Sequence, residues 1–191
     1  MQPEPESSRE REITLRELPS EIAQVLKNVG ASQRLIAHLT LVHDVAISII
    51  ETVDRYWPCL QYDNQAVIIG AATHDIGKAV YTTEMVEAGN LHEEIGPSPL
   101  VKHGFSENYV RFARTRGQWE QSSDIEDLLV ALADKVWKGT RNKDLEQKIV
   151  QRIASACDDE TWDVYLKLDD LLRAIADRAD ERLLWYGKQP L

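Results

Sequence analysis

Between Ser32 and Trp57 the chain carries one unbroken apolar stripe, in which Leu35, Leu39, Val42, Ala46, Ile49, Ile50 and Val53 recur at intervals of three and four residues. That period lays the apolar side chains along one face of a helix several turns long. The segment opens at Ser32 and ends at Trp57-Pro58, because the residue before a proline is pushed out of the helical region. A helix of this length has to be covered along its whole stripe, and the rest of the chain supplies the cover in the same period.

A shorter helical segment runs from Pro19 to Gly30, a natural residue just past a helix end. The run AVIIGAAT at 66–73 is apolar on every side and fits a buried strand or a buried helix by pattern alone; its helical surroundings favour helix. Residues 89–104 are broken by Gly89, Gly96, Pro97, Pro99 and Gly104, which predicts short helices and turns, a common setting for a site lid or pocket wall. Ser123-Asp-Ile-Glu126 reads as a capping box that launches DLLVALADKVWKG towards a stop at Gly139. Two further amphipathic segments follow, one through Leu145, Ile149 and Ile153, the other through Trp162, Tyr165, Leu172, Ile175, Ala179 and Leu183. No period-two pattern competes, so the expected fold is all-α, a single-domain helical bundle over residues 17–187. Residues 1–16 are polar, charged and proline-containing and are expected to form a loose tail.

The formal net charge of −10, from 32 acidic and 22 basic residues, argues against long nucleic acids as partners, since these are bound by neutralising many phosphates. A small anionic substrate is compatible with it, because a few cations can make a local positive pocket on an acidic protein. The N-terminus has no apolar h-region, and no run is read as a membrane span. Cys59 and Cys157 show no CxxC or CxxH spacing, which argues for a reducing compartment, and the expected location is cytoplasmic with no membrane partner. Oligomeric state is left open.

The chemistry concentrates in ATHDIGK at 72–78, where an apolar run ends in an imidazole, a carboxylate, a glycine and a lysine. Adjacent His74 and Asp75 turn into one cavity only if something compensates the carboxylate, and a divalent cation does so directly. Asp134 repeats the problem, as a carboxylate on a helix whose other faces are almost wholly apolar. It needs a cation, or an arginine such as Arg34 or Arg141. Upstream, His38 and His43 lie five residues apart, about 140° around a helix, so one site takes only one of them. Four, eight and eleven residues beyond His38 stand Val42, Ala46 and Ile49; beyond His43 stand Ile47, Glu51 and Asp54. The stripe points His38 inward, with His43 as the alternative.

This pattern, His38, then His74-Asp75, then Asp134, resembles the HD-domain metal-dependent phosphohydrolases over roughly residues 32–140; LVALADKVWKG and HEEIG suggest a bacterial branch whose substrates are largely unassigned. The resemblance implies an HD-type bundle in which these four residues hold a divalent ion and Lys78 lies close to a substrate phosphate. Imidazoles and carboxylates suit Mn, Fe, Co, Ni, Zn or Mg, and an ion with open positions acidifies a water and clamps a phosphoryl oxygen. The implied activity is hydrolysis of a phosphate ester in a small molecule, a nucleotide above all, with Asp75, Lys78 and Glu93 in the catalytic set.

Some members of that family hold two ions, in the order His, His-Asp, His, His, Asp. His92 fits the third slot for a second ion, and Glu93 or Glu94 beside it is a candidate partner or base. In the fourth slot this chain has Arg116, which cannot ligate a metal but suits a phosphate. His103 is then a substitute ligand, or else a helix-end histidine. Arg34, Arg141 and Lys135 are the other cations near the motif, the two arginines being candidates for substrate phosphate. Two alternatives stand beside hydrolysis: a non-catalytic nucleotide-binding or signalling module on the same fold, and a di-iron oxygenase.

Overall fold

The computed structural model describes residues 13–191 apart from residues 88, 116–118 and 122–123. Among the described residues there are eleven α-helices, two 3-10 turns and no strand, so the fold is all-α. The helices are α1 (Ser20–Asn28), α2 (Gln33–Tyr56), α3 (Asn64–Thr73), α4 (Leu91–Ile95), α5 (Pro97–Lys102), α6 (Glu107–Val110), α7 (Phe112–Thr115), α8 (Ile125–Val136), α9 (Lys143–Cys157), α10 (Thr161–Ala176) and α11 (Ala179–Gly187). The 3-10 turns, Ile76–Ala79 and Thr82–Met85, follow α3 directly.

α2 is the expected long helix. The Ser32 side chain accepts from the Leu35 amide at 3.2 Å, meeting one of the first-turn donors, and Trp57 leaves the helical conformation ahead of Pro58. Gly30, at φ +69°, takes the left-handed conformation between α1 and α2 that other residues adopt at a cost. The ambiguous 66–73 run is helical. Asp63 caps it by accepting from the Ala66 amide at 3.0 Å, and seven of its ten residues are buried because α2 and α8 cover it on two sides.

The helices α2, α3 and α8 pack against one another, and α9 and α10 close the far side of α8. Their shared core runs through Leu41, Val45, Ile49, Val67, Leu129, Leu132, Ile149 and Leu172. A second apolar cluster joins α1 to the first turns of α2 and the end of α3, through Ile22, Leu26, Leu35, Leu39, Ile69 and Ile76. α2 has the length and mean hydropathy of a membrane span, but 67% of its apolar window is buried in this core. The length criterion is therefore met in a place where the sequence reading saw no such run.

Three sequence expectations change. Residues 13–16 are held down rather than loose: Ile13 and Leu15 pack on the core, and Arg16 donates to Asp44, Ser48 and Glu51 of α2. Ser123 of the capping box lies outside the described residues; α8 begins after Asp124, and Glu126 accepts from the Asp63 amide at 2.8 Å, tying α8 to the start of α3. Third, Cys59 and Cys157 are joined in a disulfide, Cα to Cα 5.4 Å, across 98 residues. The absence of a pairing motif had suggested unpaired thiols, so the cysteines no longer support a reducing compartment.

Closing so long a loop restricts the unfolded chain, and reduction is expected to cost about 4 to 5 kcal/mol. Urea denaturation with and without reductant measures it, and coincident midpoints would rule the linkage out as a stabiliser.

Candidate metal centre

The three mutually packed helices each deliver a polar side chain to one point. His38 comes from the second turn of α2, His74 caps the C-terminus of α3, Asp75 follows it into the 3-10 turn, and Asp134 comes from the last turn of α8. Asp75 is fully buried, His74 is 1% exposed and His38 8%. The apolar run of α3 drives its own C-terminus inward, which carries the His-Asp pair with it.

The donor atoms converge closely. His38 Nε2 lies 3.3 Å from His74 Nε2, 3.2 Å from Asp75 Oδ2 and 3.6 Å from Asp134 Oδ1. His74 Nε2 lies 3.8 Å from Asp75 Oδ2 and 3.5 Å from Asp134 Oδ1. Ligand atoms sharing one divalent ion at about 2.1 Å stand about 3.0 Å apart when adjacent in an octahedral set and about 3.4 Å apart in a tetrahedral one. The observed separations have that scale, and the ligand atoms of His38, His74 and Asp75 all lie within 4.8 Å of one another.

The protonation states suit the same reading. His74 Nδ1 stands 3.0 Å from the Ala71 carbonyl oxygen, an acceptor only, so this nitrogen carries a proton and Nε2 is the one turned to the cluster. Burial lowers the His38 imidazole, against the pull of Asp75, and favours its neutral form. Burial alone would raise both carboxylates, but the surrounding imidazoles outweigh it and hold Asp75 and Asp134 well below the ordinary range. Lys78 Nζ reaches Asp75 Oδ2 at 2.7 Å and neutralises that carboxylate. Among the described residues, Asp134 Oδ1 is buried without a hydrogen-bond partner and without a Lys or Arg paired to it. A cation held by all four residues satisfies that oxygen, so the donor set fits a divalent ion.

A second layer faces the other oxygen of Asp75. His92, fully buried on α4, has Nε2 3.4 Å from Asp75 Oδ1, and its Nδ1 pairs with Glu84 Oε2. Glu84 also accepts the amides of Leu91 at 3.0 Å and His92 at 3.1 Å, which fixes the start of α4. Burial would lower His92, but Asp75 and Glu84 on either side raise it above its usual value.

The expected residues are therefore divided. His38, His74, Asp75, Asp134, His92 and Lys78 come together. His43 does not: it is 2% exposed inside the same helix, with Nδ1 buried and without a hydrogen-bond partner among the described residues, so both histidines are buried and the stripe that pointed His38 inward does not by itself separate them. Glu93 is half-buried in a surface recess beside Asn90, Glu94 and Arg114, and the carboxylate on His92 is Glu84, which sequence reasoning missed. Arg141 is committed to Glu146 and Asp169 at 2.7 and 2.8 Å between α9 and α10. Arg34 donates to the carbonyls of Gln189 and Gly187. Neither arginine pairs with Asp134, and both are taken up by partners other than a phosphate. His103 bonds Asn28 and the Pro99 carbonyl on the exposed surface, far from a ligand role. Arg116 lies outside the described residues.

No family model matches this chain, and no solved structure matches it.

Proposed function

We propose that this chain is an HD-type metal-dependent phosphohydrolase that cleaves a phosphate ester of a small molecule, a nucleotide above all, as a phosphomonoesterase or phosphodiesterase. The observation that carries the reading is the convergence of two imidazoles and two carboxylates from three different helices on one point, with one buried carboxylate oxygen lacking a hydrogen-bond partner among the described residues. The likeness of this set to the His, His-Asp, Asp pattern supports it from the sequence side.

His38, His74, Asp75 and Asp134 would hold the ion. When bound, a divalent ion in such a set acidifies water and polarises a phosphoryl oxygen. The protein's own part is preorganisation. The Ala71 carbonyl fixes the tautomer of His74, and the rigid packing of α2, α3 and α8 keeps the donors from relaxing. Lys78, 11% exposed at the edge of the cluster, supplies a point charge for the negative oxygens of a phosphoryl group. The acidic net charge then matters little, because the cations are local.

The Glu84–His92–Asp75 arrangement favours a second reading in which a second ion would be held with His92 and Asp75 among its ligands. Elemental analysis of the purified protein separates the two: one equivalent of a transition metal per chain for the first, two for the second.

The activity is tested on a panel of nucleotides and generic phosphoesters with Mn, Ni, Co or Mg. Turnover abolished by chelation and restored by one of these ions is expected. Stoichiometric metal with nucleotide binding and no turnover would replace the hydrolase by a binding module, and oxygen consumption by an iron-loaded protein would replace it by an oxygenase.

A further inference from the structure

The three histidines of the cluster are oriented in two different ways. The His74 ring is set by the Ala71 carbonyl, 3.0 Å from Nδ1, and the His92 ring by Glu84. A ligating imidazole is ordinarily held like this, by an acceptor on the nitrogen that the metal does not use. His38 turns Nε2 to the cluster, and its Nδ1 makes no hydrogen bond to a described residue. It has an aromatic neighbour instead. Trp137, three residues beyond Asp134, meets the His38 imidazole edge to face, with ring centres 5.6 Å apart.

That neighbour is braced from the far end of the chain. Trp137 is 4% exposed, and its indole N–H is buried without a hydrogen-bond partner among the described residues, so packing and not a bond fixes the plane of the ring. The same indole meets the half-buried Tyr186 of α11 edge to face, at 5.5 Å between ring centres. Aromatic pairs prefer such tilted arrangements to a sandwich, so each contact has a preferred geometry. The Arg34 guanidinium lies over the Tyr186 ring at 5.4 Å. Arg34 is locked in turn: its side chain donates to Gln189 O at 2.9 and 2.7 Å and to Gly187 O at 3.3 Å, and its backbone amide donates to Pro190 O at 2.9 Å. Arg34 stands one turn before His38 on α2, so the contacts close a circuit. α2 holds the C-terminal segment, that segment holds Trp137, and Trp137 holds a side chain of α2.

We infer that Trp137 and Tyr186 are positioning residues of the metal centre, through which the C-terminal segment holds the His38 imidazole in its ligating orientation by two ring contacts, in place of the hydrogen-bonded acceptor that sets His74. An imidazole free to turn must be ordered when the ion arrives, whereas a braced one has that cost met by the fold. The inference rests on the metal-centre part of the proposed function and not on which ester is cleaved. Arg34 then serves as the brace of Tyr186.

The test uses the full chain, stripped of metal and reloaded with Co(II), whose visible absorption reports the geometry of its ligands. The dissociation constant is measured by competition with a chelator, and circular dichroism follows the fold. Tyr186→Phe keeps the ring and is expected to match the wild type in affinity and spectrum. Tyr186→Leu and Trp137→Leu each remove one ring, and are expected to stay helical while binding Co(II) about 10-fold more weakly with a shifted spectrum. Trp137 is a core residue, so if its leucine variant does not fold, Tyr186→Leu at the half-buried position decides. A helical Tyr186→Leu protein with wild-type affinity and spectrum overturns the inference and leaves the metal centre standing. Weaker binding with an unchanged spectrum also overturns it, because that pattern marks lost stability and not a misplaced ligand, and so does a Tyr186→Phe protein as impaired as Tyr186→Leu. A wild type that holds no Co(II) overturns the metal centre and the inference together.

Discussion

Alanine at position 74 is expected to leave a folded helical protein that no longer retains a divalent ion. The His74 ring is 1% exposed, and its Nε2 lies among His38, Asp75 and Asp134. Its removal takes one of four donors and leaves two carboxylates close together with one imidazole fewer between them. Losing a residue that merely orients a ligand weakens metal binding about 10- to 100-fold, so losing a ligand should weaken it by at least about 100-fold. Any metal-dependent turnover falls with it. Asp134→Asn should act in the same direction with less disturbance of shape. His43→Gln is the control, because His43 lies in the same helix and outside the cluster, and that variant is expected to keep its ion. Metal analysis after dialysis, alongside circular dichroism to show that each variant is helical, reads the result. Stoichiometric metal in the His74→Ala protein would mean that the cluster is not the binding site.

The second large effect is expected at Gly77. A Cβ built there falls 2.0 Å from the His92 carbonyl oxygen and 2.7 Å from its carbonyl carbon. Both are backbone atoms of α4, so no side-chain rotation relieves the clash. Gly77→Ala must push the 3-10 turn after Asp75 away from α4, and the contact of His92 with Asp75 opens in the same movement. Overpacking of this kind costs about 2–3 kcal/mol. Urea unfolding measures the loss, and a variant as stable as the wild type would contradict the close approach of these two segments.

How much of this was legible in the sequence follows from the range over which each interaction acts. α2 was readable because its stripe, its Ser32 cap and its Trp57-Pro58 stop are all local. The same stripe pointed His38 inward, but it did not foresee that His43 is buried too. The 66–73 run was ambiguous because burial on all sides erases periodicity; the deciding signal was Asp63, whose side chain caps the helix three residues on. The cluster was legible because a carboxylate on an apolar helix needs a cation wherever that cation comes from.

The failures are of the opposite kind. Glu84 sits in a short polar segment with no period, and only the fold brings it to His92. Arg34 and Arg141 were assigned to phosphate by nearness in sequence, but their partners are 155 residues away in one case and 28 in the other for its longest bond. The disulfide joins positions that no spacing rule connects.

The bridge between Cys59 and Cys157 also decides how mechanical load would travel through the molecule. Pulled by its two ends, the oxidised chain would carry tension across the sulfur pair, and the intervening stretch, which contains His74, Asp75, His92 and Asp134, would stay slack. His38 lies outside that stretch, so the cage would come apart from one edge, with α2 peeling away while the remaining donors stayed threaded together.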